Sequence, residues 1–564
     1  MRMTNKVVIV GLDGAGFQTL QPWLDAGHLP TLREMMERGA SGPLTSIVPP
    51  VTAPAWSSFM TGKNPGKHGI YYFTTRDKTT GREVPVSAYS RSGKTLWDLL
   101  SEGGKTVTVL NVPTTYPPSR VNGIMVAGFL TPKGKRDFVY PPSLLDEIEK
   151  AFGPYPLYLK TNFTANLSET NVERFLAELE HELRYKFAVL HYLMDRYPSD
   201  FTMVHIWGTD RIQHDLWNLF DESHPRYDPV LGAKYKERII GYFSAVDAQI
   251  ARLRERLDDE TTLIIMSDHG FGPIHRFIDL NVWLLEQGYI AIKETPLSQF
   301  RLRAWRMGLT YEFLIRGLLR VLKWGVQLPD RTPADAVNLI REEGFQPLLS
   351  LRDVDWSRTK AYSKFGLGQI IINLEGREPR GSVKPGAEYR AVRDEIVERL
   401  RRLRDPATGR LIGGQVYTKE DVYSGPYLDE APDITYLPME SNYLANVLMG
   451  FTTRNWIMDN PVLFGNHRME GLIIVEGKSV RRGSRLNEAN ILDVAPTVLY
   501  AMGESIPRDM DGRVLTEMFV PEFLSQRPVE WRDAEEAEPP AEAGALTRED
   551  EETILDRLKG LGYL

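Results

Sequence analysis

The sequence contains no cysteine. Disulfide bonds, thiolate zinc sites and a cysteine nucleophile are therefore excluded, and any bound metal has to be held by Asp, Glu, His or a hydroxyl oxygen. The sequence also lacks an apolar run of about 18 residues, the length that a membrane-spanning helix needs. Its first apolar run, Val7–Val10, is too short for a signal peptide, so we expect a cytoplasmic protein.

Positive charge is not in excess either. The 564 residues carry a formal net charge of −7, so no overall basic field attracts nucleic acid, and we expect no nucleic-acid-binding module. With 42% hydrophobic and 25% charged residues, the composition is that of an ordinary globular protein. The length alone predicts about two to four domains, or one large α/β core with insertions.

Short apolar runs alternate with helical periods over the first 290 residues, and one more apolar run follows much later. This alternation is typical of an α/β fold in which a mostly parallel sheet is flanked by helices. Each run is largely apolar on both faces, as buried parallel strands are. The predicted strands are Val7–Leu12, Thr106–Leu110, Phe201–Trp207, Thr262–Met266 and Gly471–Gly477.

The pattern changes between about residues 290 and 460, which we interpret as an α+β cap inserted into the core. A helical segment within it, 297–325, is rich in arginine. Near the end, the acidic Pro/Ala-rich stretch Asp533–Ala545 is predicted to be disordered, and a short helix is predicted from Thr547. The predicted divisions are the first part of the core (1–290), the inserted cap (291–460), the last part of the core (461–520) and an acidic linker with a short C-terminal helix (521–564).

Carboxylates and imidazoles stand next to the ends of the predicted strands. In an open α/β sheet, ligands bind at the carboxyl ends of the strands, so we expect these side chains to gather at one edge. Asp210 and His214 are spaced i, i+4, so on a helix their side chains point the same way. The residues are Asp13, Asp210, His214, Asp268, His269 and His467.

This cluster predicts a metal centre. Three buried carboxylates would repel one another and lose their charge unless cations neutralise them. Two divalent ions bring four positive charges against three carboxylates and one alkoxide. Mixed Asp/His ligand sets suit Zn²⁺ and, less well, Mn²⁺. We therefore expect two divalent metal ions, with Zn²⁺ preferred and Mn²⁺ as the alternative.

Thr52 is the candidate nucleophile. Pro54 fixes φ in a first helical turn, which places Thr52 at a helix N-terminus. The backbone N–H groups and the dipole of a helix stabilise an anion there, and two metal ions could activate an attacking oxygen and stabilise a leaving one. Several of the candidate residues also have a purely structural interpretation, and His467 could be a core histidine with its hydrogen bonds satisfied. Thr52 could be an N-cap, Asp13 could cap a turn, and Asp210 and His214 could form a surface pair.

Eight motifs are spread over residues 5–515. They are Val8–Gly14, Pro50–Trp56, Thr61–Gly69, Asp210–His214, Ser267–Gly270, Gly465–Arg468, Asp493–Leu499 and Asp509–Arg513. Together they resemble the type I phosphodiesterase/nucleotide pyrophosphatase branch of the alkaline phosphatase superfamily, and within it a group of predicted phosphohydrolases or phosphomutases. The resemblance implies an alkaline-phosphatase-like core.

The resemblance also implies roles for the candidate residues. It implies two ligand sets, one of Asp210, His214 and His467 and the other of Asp13, Asp268 and His269. Thr52 Oγ would bind the second ion and attack phosphorus, and water would then hydrolyse the phospho-threonine intermediate. In characterised diesterases an asparagine contacts the phosphate. Asn111, directly after a predicted strand, is its implied equivalent, although the surrounding residues differ.

The expected function is metal-dependent hydrolysis of a phosphorylated small molecule, as a phosphodiesterase or pyrophosphatase. The motifs show no arginine clamp for a dianionic monoester, which favours a diester. A phosphomonoesterase or phosphomutase of the same superfamily is one alternative. A non-catalytic or membrane-surface protein that binds phosphorylated ligands is the alternative of a different class, with the basic segment 297–325 as the membrane contact or simply as a solvated face.

Overall fold

The computed structural model describes residues 6–77, 80–161, 168–310, 313, 348–364, 366–439, 442–446, 451, 453–459, 464–534, 546–561 and 563. Two predicted segments are covered only in part. Of the predicted helix 297–325, residues 311–312 and 314–325 lie outside the described residues. Of the acidic stretch Asp533–Ala545, residues 535–545 lie outside them.

The described residues contain strands, α-helices and short 3₁₀ helices. The strands are β1 (Lys6–Leu12), β2 (Ala40–Thr45), β3 (Thr74–Arg76), β4 (Glu83–Pro85), β5 (Val107–Leu110), β6 (Gly123–Val126), β7 (Val139–Tyr140), β8 (Phe201–Ile206), β9 (Thr261–Met266), β10 (Gly270–Pro273), β11 (Arg276–Asp279), β12 (Ala361–Tyr362), β13 (Gln369–Ile372), β14 (Gln415–Thr418), β15 (Ile434–Leu437), β16 (Tyr443–Asn446), β17 (Ile457–Asp459), β18 (Gly465–Arg468), β19 (Glu470–Glu476), β20 (Ser484–Arg485), β21 (Ala489–Asn490), β22 (Ile506–Pro507) and β23 (Trp531–Arg532). The α-helices are α1 (Phe17–Asp25), α2 (Pro30–Arg38), α3 (Thr52–Thr61), α4 (Pro65–His68), α5 (Leu96–Glu102), α6 (Leu144–Phe152), α7 (Glu169–Arg196), α8 (Gly208–Phe220), α9 (Pro229–Arg254), α10 (Leu280–Glu286), α11 (Pro296–Arg306), α12 (Ala387–Arg401), α13 (Lys419–Val422), α14 (Val494–Ala501), α15 (Pro521–Gln526) and α16 (Arg548–Gly560). Short 3₁₀ helices are Ala88–Ser90, Leu351–Asp353, Leu428–Glu430, Ile491–Asp493 and Thr516–Met518.

One large sheet organises the molecule. Its ten strands run in the order β20-β2-β19-β9-β1-β8-β5-β6-β7, with β21 paired to β2. The central strands β9, β1, β8, β5 and β6 are parallel. The predicted α/β class, with a mostly parallel sheet flanked by helices, is therefore confirmed.

The last predicted strand departs from the parallel arrangement. The sequence predicts a parallel strand at Gly471–Gly477, but β19 pairs antiparallel with both β2 and β9. The prediction was wrong in direction because helices cover both faces of the sheet, so burial on both faces does not distinguish the two directions. β19 follows β18, which pairs with β10 just beyond the carboxyl end of β9. The chain thus re-enters the sheet from that edge and runs the opposite way.

An apolar layer packs on each face of the sheet, and the side chains of β1 contribute to the two layers in alternation. Val8 and Val10 pack into the layer that includes α1, α7 and α9, whereas Val7 and Ile9 pack into the layer that includes α3, α5 and α14. Successive side chains of a strand point to opposite faces, so one short apolar run supplies both layers. The residue that follows β1 therefore emerges at the polar edge of the sheet.

Gly11 allows α3 to lie close against β1. A Cβ atom at Gly11 would come within 2.6 Å of Cη2 of Trp56, which is fully buried on α3. Any larger residue at this position would push the indole away from the strand. The close approach brings the beginning of α3, with Thr52, to the same edge of the sheet as Asp13.

Two smaller sheets are formed by strands that lie between β9 and β19 in the chain. Strands β12-β13-β15-β14 form a four-stranded sheet with α12 packed on it, and β16-β11-β17 form a three-stranded sheet. They share a separate apolar core. The division of the chain into core, cap and linker stays a prediction. Within the described residues, no helix has both the length and the apolar composition needed to cross a bilayer.

Candidate metal and catalytic site

The six candidate ligands converge at the carboxyl edge of the large sheet, with Thr52 beside them. Each of these seven side chains is at most 4% exposed. The elements that carry them come from distant parts of the chain. Asp13 follows β1, Asp210 and His214 lie on α8, Asp268 and His269 follow β9, His467 lies in β18, and Thr52 is the first residue of α3.

Asp210, His214 and His467 form one compact group. Nε2 of His214 lies 3.0 Å from Nε2 of His467. Each of these nitrogen atoms lies 3.3 Å from Oδ1 of Asp210. Two imidazole nitrogens and one carboxylate oxygen thus surround a common point, which is the arrangement that a divalent cation requires.

His269 is the centre of a second group. Its Nε2 lies 3.2 Å from Oδ2 of Asp268, 3.5 Å from Oδ1 of Asp13 and 3.3 Å from Oγ1 of Thr52. The ligand atoms of Asp13, Asp210 and His269 lie within 4.8 Å of one another. Asp210 therefore lies between the two groups, and Asp268 flanks the second group through His269. Which ion Asp268 and Asp210 each bind stays a prediction.

Backbone carbonyl groups orient all three imidazoles. The Nδ1 distances are 3.0 Å from His214 to the oxygen of Gly465, 3.1 Å from His269 to that of Gly270 and 2.8 Å from His467 to that of Pro50. A carbonyl oxygen only accepts, so Nδ1 carries the proton and donates in each case. This leaves the lone pair of every Nε2 available to a metal ion.

Each of the three carboxylates has one buried oxygen atom without a hydrogen-bond donor. These atoms are Oδ1 of Asp13, Oδ1 of Asp210 and Oδ2 of Asp268. A buried oxygen without a partner costs free energy, and it costs more when the group is charged. Metal ions would satisfy these atoms. The residues present therefore fit a binuclear centre.

The other oxygen of each carboxylate is held by the protein. Oδ2 of Asp13 accepts from Nε2 of His205 at 2.8 Å and from Nε1 of Trp56 at 3.2 Å. Oδ1 of Asp268 accepts from the amide of Gly14 at 3.2 Å. Oδ2 of Asp210 accepts from the hydroxyl of Tyr563 at 3.3 Å. These bonds fix the carboxylates with their unpartnered oxygen atoms directed to the cluster.

Without cations, the electrostatics of the site are unfavourable. Burial and the charge of Asp210 raise the pKa of Asp13 well above its usual value, and burial and the charge of Asp13 do the same to the pKa of Asp268. Burial also opposes ionisation of Asp210, but the neighbouring His214 and His467 hold its pKa well below the usual value. Divalent cations would stabilise the ionised form of all three carboxylates.

His269 and His467 are held in the form that binds metal. Burial, together with the neighbouring His467, lowers the pKa of His269 well below its usual value. Burial likewise lowers the pKa of His467, against the opposing effect of the neighbouring Asp210. Neutral imidazole is the ligand form, so no proton has to be displaced before an ion binds.

Thr52 is the first helical residue of α3 and not its N-cap. The cap is Val51, which is extended at φ −117° and ψ 133°. Pro54 lies in the first turn, as the sequence predicts. The Thr52 hydroxyl thus faces the cluster from the N-terminus of a fully buried helix, and its partner within hydrogen-bonding distance is Nε2 of His269.

Sequence reasoning missed His205 and Tyr563. His205 interrupts the otherwise apolar strand β8, and a polar residue inside such a run is a signal that could have been noticed. Burial, with the nearby charge of Lys186, lowers the pKa of His205 to about 3, so it is neutral when it donates to Asp13. Tyr563 follows α16 and has no local sequence signal that connects it to the site.

Asn111 lies directly after β5, in the left-handed backbone region at φ 61°. Its Nδ2 donates to the carbonyl oxygen of Ala127 at 3.2 Å, and its Oδ1 accepts from the hydroxyl of Tyr155 at 2.7 Å. Both ends of the amide are therefore engaged within the protein. The role of Asn111 in contacting phosphate stays a prediction.

The family model described as type I phosphodiesterase/nucleotide pyrophosphatase matches residues 7–449. No curated protein matches the chain by sequence. Among solved structures, human ectonucleotide pyrophosphatase/phosphodiesterase 5 shares 14% identity over 89% of this chain and 95% of its own, with a TM-score of 0.44. Phosphonoacetate hydrolase from Sinorhizobium meliloti in complex with phosphonoformate shares 16% identity over 88% and 96%, with a TM-score of 0.48.

We predict that His205→Ala weakens metal binding about 10- to 100-fold, because removing a residue that orients a metal ligand has a cost of that order. Calorimetric titration of the metal-free protein with Zn²⁺ and with Mn²⁺ measures the change. His181→Ala, on the exposed side of α7, is the matched control and should leave the affinity unchanged. Equal affinities for the two variants would argue against Asp13 as a metal ligand.

Proposed function

The chain belongs to the type I phosphodiesterase/nucleotide pyrophosphatase family, and from this premise we propose that it cleaves a phosphodiester or a pyrophosphate by attack of Thr52 on phosphorus. The chain is a phosphoric ester hydrolase of the metal-dependent alkaline phosphatase superfamily. The observation that carries the proposal is the position of the Thr52 hydroxyl, 3.3 Å from Nε2 of His269. His269 lies among three buried carboxylates that each leave one oxygen unpartnered.

Two divalent cations fit this cluster, with Zn²⁺ preferred and Mn²⁺ as the alternative, because the donor atoms are imidazole nitrogens and carboxylate oxygens. When bound, such ions supply charge neutralisation, a lower pKa for the nucleophile and stabilisation of the leaving oxygen. The proposed ligand sets are Asp210, His214 and His467 for one ion and Asp13, Asp268, His269 and Thr52 for the other.

The residues of the chain position and polarise the nucleophile. Thr52 Oγ1 releases its proton to water and forms a bond to phosphorus, while the bond from phosphorus to the leaving oxygen breaks and that oxygen takes up a proton from water. The N-terminal end of α3 stabilises negative charge at this point. Water then attacks the phospho-threonine, the bond between phosphorus and Oγ1 breaks, and the hydroxyl is restored.

A diester or pyrophosphate is favoured over a monoester by the surroundings of the cluster. A cavity lies over His214 and His467, and the described residues that line it include the amides Asn446 and Asn466 but no Lys or Arg. A dianionic monoester usually needs a cationic clamp, whereas neutral donors can hold a monoanionic diester. A phosphomonoesterase or phosphomutase is therefore the less favoured alternative.

We predict that Thr52→Ala lowers the rate of bis-p-nitrophenyl phosphate hydrolysis by a factor of about 10³ or more, because it removes the attacking oxygen. Thr52→Ser keeps a hydroxyl and should retain turnover, with phosphate trapped on residue 52 when the reaction is quenched in acid. Thr61→Ala, at the other end of the same helix, is the control for disturbance of α3.

The measurement combines steady-state rates with peptide mass spectrometry of the quenched protein. Circular dichroism establishes that each variant is folded. Turnover of Thr52→Ala close to that of the wild-type protein, at unchanged metal content, would refute the assignment of the nucleophile.

We also propose a weak contact of α11 with an anionic lipid surface. The helix is anchored on the core of the smaller sheets by Leu302 and Trp305. Its outer side combines apolar and basic residues, a pattern of helices that lie in the membrane interface. Exposed residues of the helix include Leu297 (57%), Phe300 (67%), Arg303 and Arg306, and Met307 (75%) follows directly after it.

We predict that changing Arg303 and Arg306 together to Glu at least halves sedimentation with phosphatidylserine vesicles, since each basic residue near such a surface contributes about 1 kcal/mol. Arg301 is left unchanged because it pairs with Asp353. The control changes Arg390 and Arg402, exposed residues on and after α12, to Glu and alters net charge equally. The same sedimentation for both double variants would rule out this contact.

A further inference from the structure

The cavity over the ligand cluster is bounded by separate parts of the chain. His214 and His467 form its floor. Since Thr52 and all the candidate ligands are buried, a substrate needs a space of this kind to reach them. Tyr72, Phe73 and Tyr563 are among the other lining residues.

Tyr563 brings the end of a distant segment into this cavity. Its hydroxyl donates to Oδ2 of Asp210 at 3.3 Å. Its ring lies against Phe73, with ring centroids 4.5 Å apart, and edge-on to His214 at 5.9 Å. The aromatic side chain thus fills space directly beside the candidate metal ligands, where substituents of a bound phosphate would otherwise extend.

The backbone of Tyr563 is also fixed. Its carbonyl oxygen accepts from the hydroxyl of Tyr72 at 2.7 Å, and its amide donates to the carbonyl oxygen of Leu558 at 3.0 Å. Tyr563 is therefore held by both its main chain and its side chain, so its ring has a defined position in the lining of the cavity.

The preceding helix, α16, holds Tyr563 against the rest of the fold. Ile554 and Leu558 are at most 1% exposed and pack in the apolar cluster that includes Val51 and Ala53, the neighbours of Thr52. The guanidinium of Arg557 lies over the rings of Tyr158 at 4.2 Å and Phe129 at 4.7 Å. These contacts are extensive, and they tie α16 to the part of the fold that carries the nucleophile.

Ion pairs add to the attachment. Asp550 pairs with Lys135 at 2.9 Å, and Glu551 pairs with Arg82 at 2.9 Å. Thr547 caps the helix, as the sequence predicts, with its hydroxyl accepting from the amide of Asp550 at 3.2 Å. The helix is thus fixed at its N-terminal end as well as along its apolar face.

We propose that Tyr563 is a specificity-determining residue that limits the size of the substituents on the substrate phosphorus. This inference rests on the proposed function of the site. The ring closes the cavity beside Asp210 and His214, so the preferred substrates are phosphodiesters with a small alkyl group on the ester oxygen that does not leave. A nucleoside-sized group at that position clashes with the ring.

Two substrates with the same leaving group test the proposal on the full chain. They are methyl p-nitrophenyl phosphate and thymidine 5′-(p-nitrophenyl phosphate), and the measured quantity is the ratio of their kcat/KM values. We expect Tyr563→Ala to raise the thymidine-to-methyl ratio about tenfold or more, because steric discrimination in a pocket reaches this size. Tyr563→Trp, which enlarges the side chain, should lower the ratio.

Two further variants separate the roles of Tyr563. Tyr563→Phe keeps the ring and removes the bond to Asp210, so it should lower both kcat/KM values by the same factor and leave their ratio unchanged. Tyr89→Ala, at an exposed tyrosine that does not line the cavity, is the matched control and should leave the ratio unchanged. Metal content and thermal unfolding of each variant establish that the site is intact.

An unchanged ratio in both Tyr563→Ala and Tyr563→Trp overturns the proposal. In Tyr563→Ala, a rise of both kcat/KM values by one factor would mean that Tyr563 obstructs the site for both substrates alike, and an equal fall would make it only a support for Asp210. Either result also overturns it. Failure of the proposed function is distinguishable, because it would appear as retained turnover in Thr52→Ala and not as a change in the ratio.

Discussion

Three buried carboxylates, each with one oxygen that no hydrogen-bond donor satisfies, are the constraint on which the site depends. Asp13, Asp210 and Asp268 cannot all be ionised in a space closed to water unless positive charge is present. Among the described residues, no Lys or Arg lies within ion-pairing distance of these three carboxylates. Divalent cations are the counter-charge that fits the donor atoms, and neutral imidazoles complete the ligand sets.

The large sheet explains how residues so far apart in sequence meet. Parallel strands end at a common edge, and β1, β8 and β9 each deliver polar residues there. β19 returns from the same edge and, with β18 before it, brings His467 to the cluster. Gly11 lets α3 pack close enough for Trp56 to bond Asp13, so the helix that begins with Thr52 is fixed relative to the first carboxylate.

Much of this arrangement could be predicted from the sequence, because strands that are apolar on both faces and are followed by Asp or His are a local signal. The direction of β19 could not, since burial on both faces is common to both directions. His205 was visible as a polar interruption of a strand, but its partner Asp13 lies 192 positions away. Tyr563 reaches the site only through tertiary packing of α16. The cytoplasmic location stays a prediction, because no contact within the fold reports on it.

Anomalous X-ray scattering at the zinc absorption edge, from crystals of the full chain grown with Zn²⁺, tests the central claim most directly. We predict two peaks within coordination distance of the cluster, one beside Asp210, His214 and His467 and the other beside Asp13, Asp268, His269 and the Thr52 hydroxyl. No peak at the cluster, a single peak there, or a pair of peaks remote from Thr52 would contradict the binuclear site.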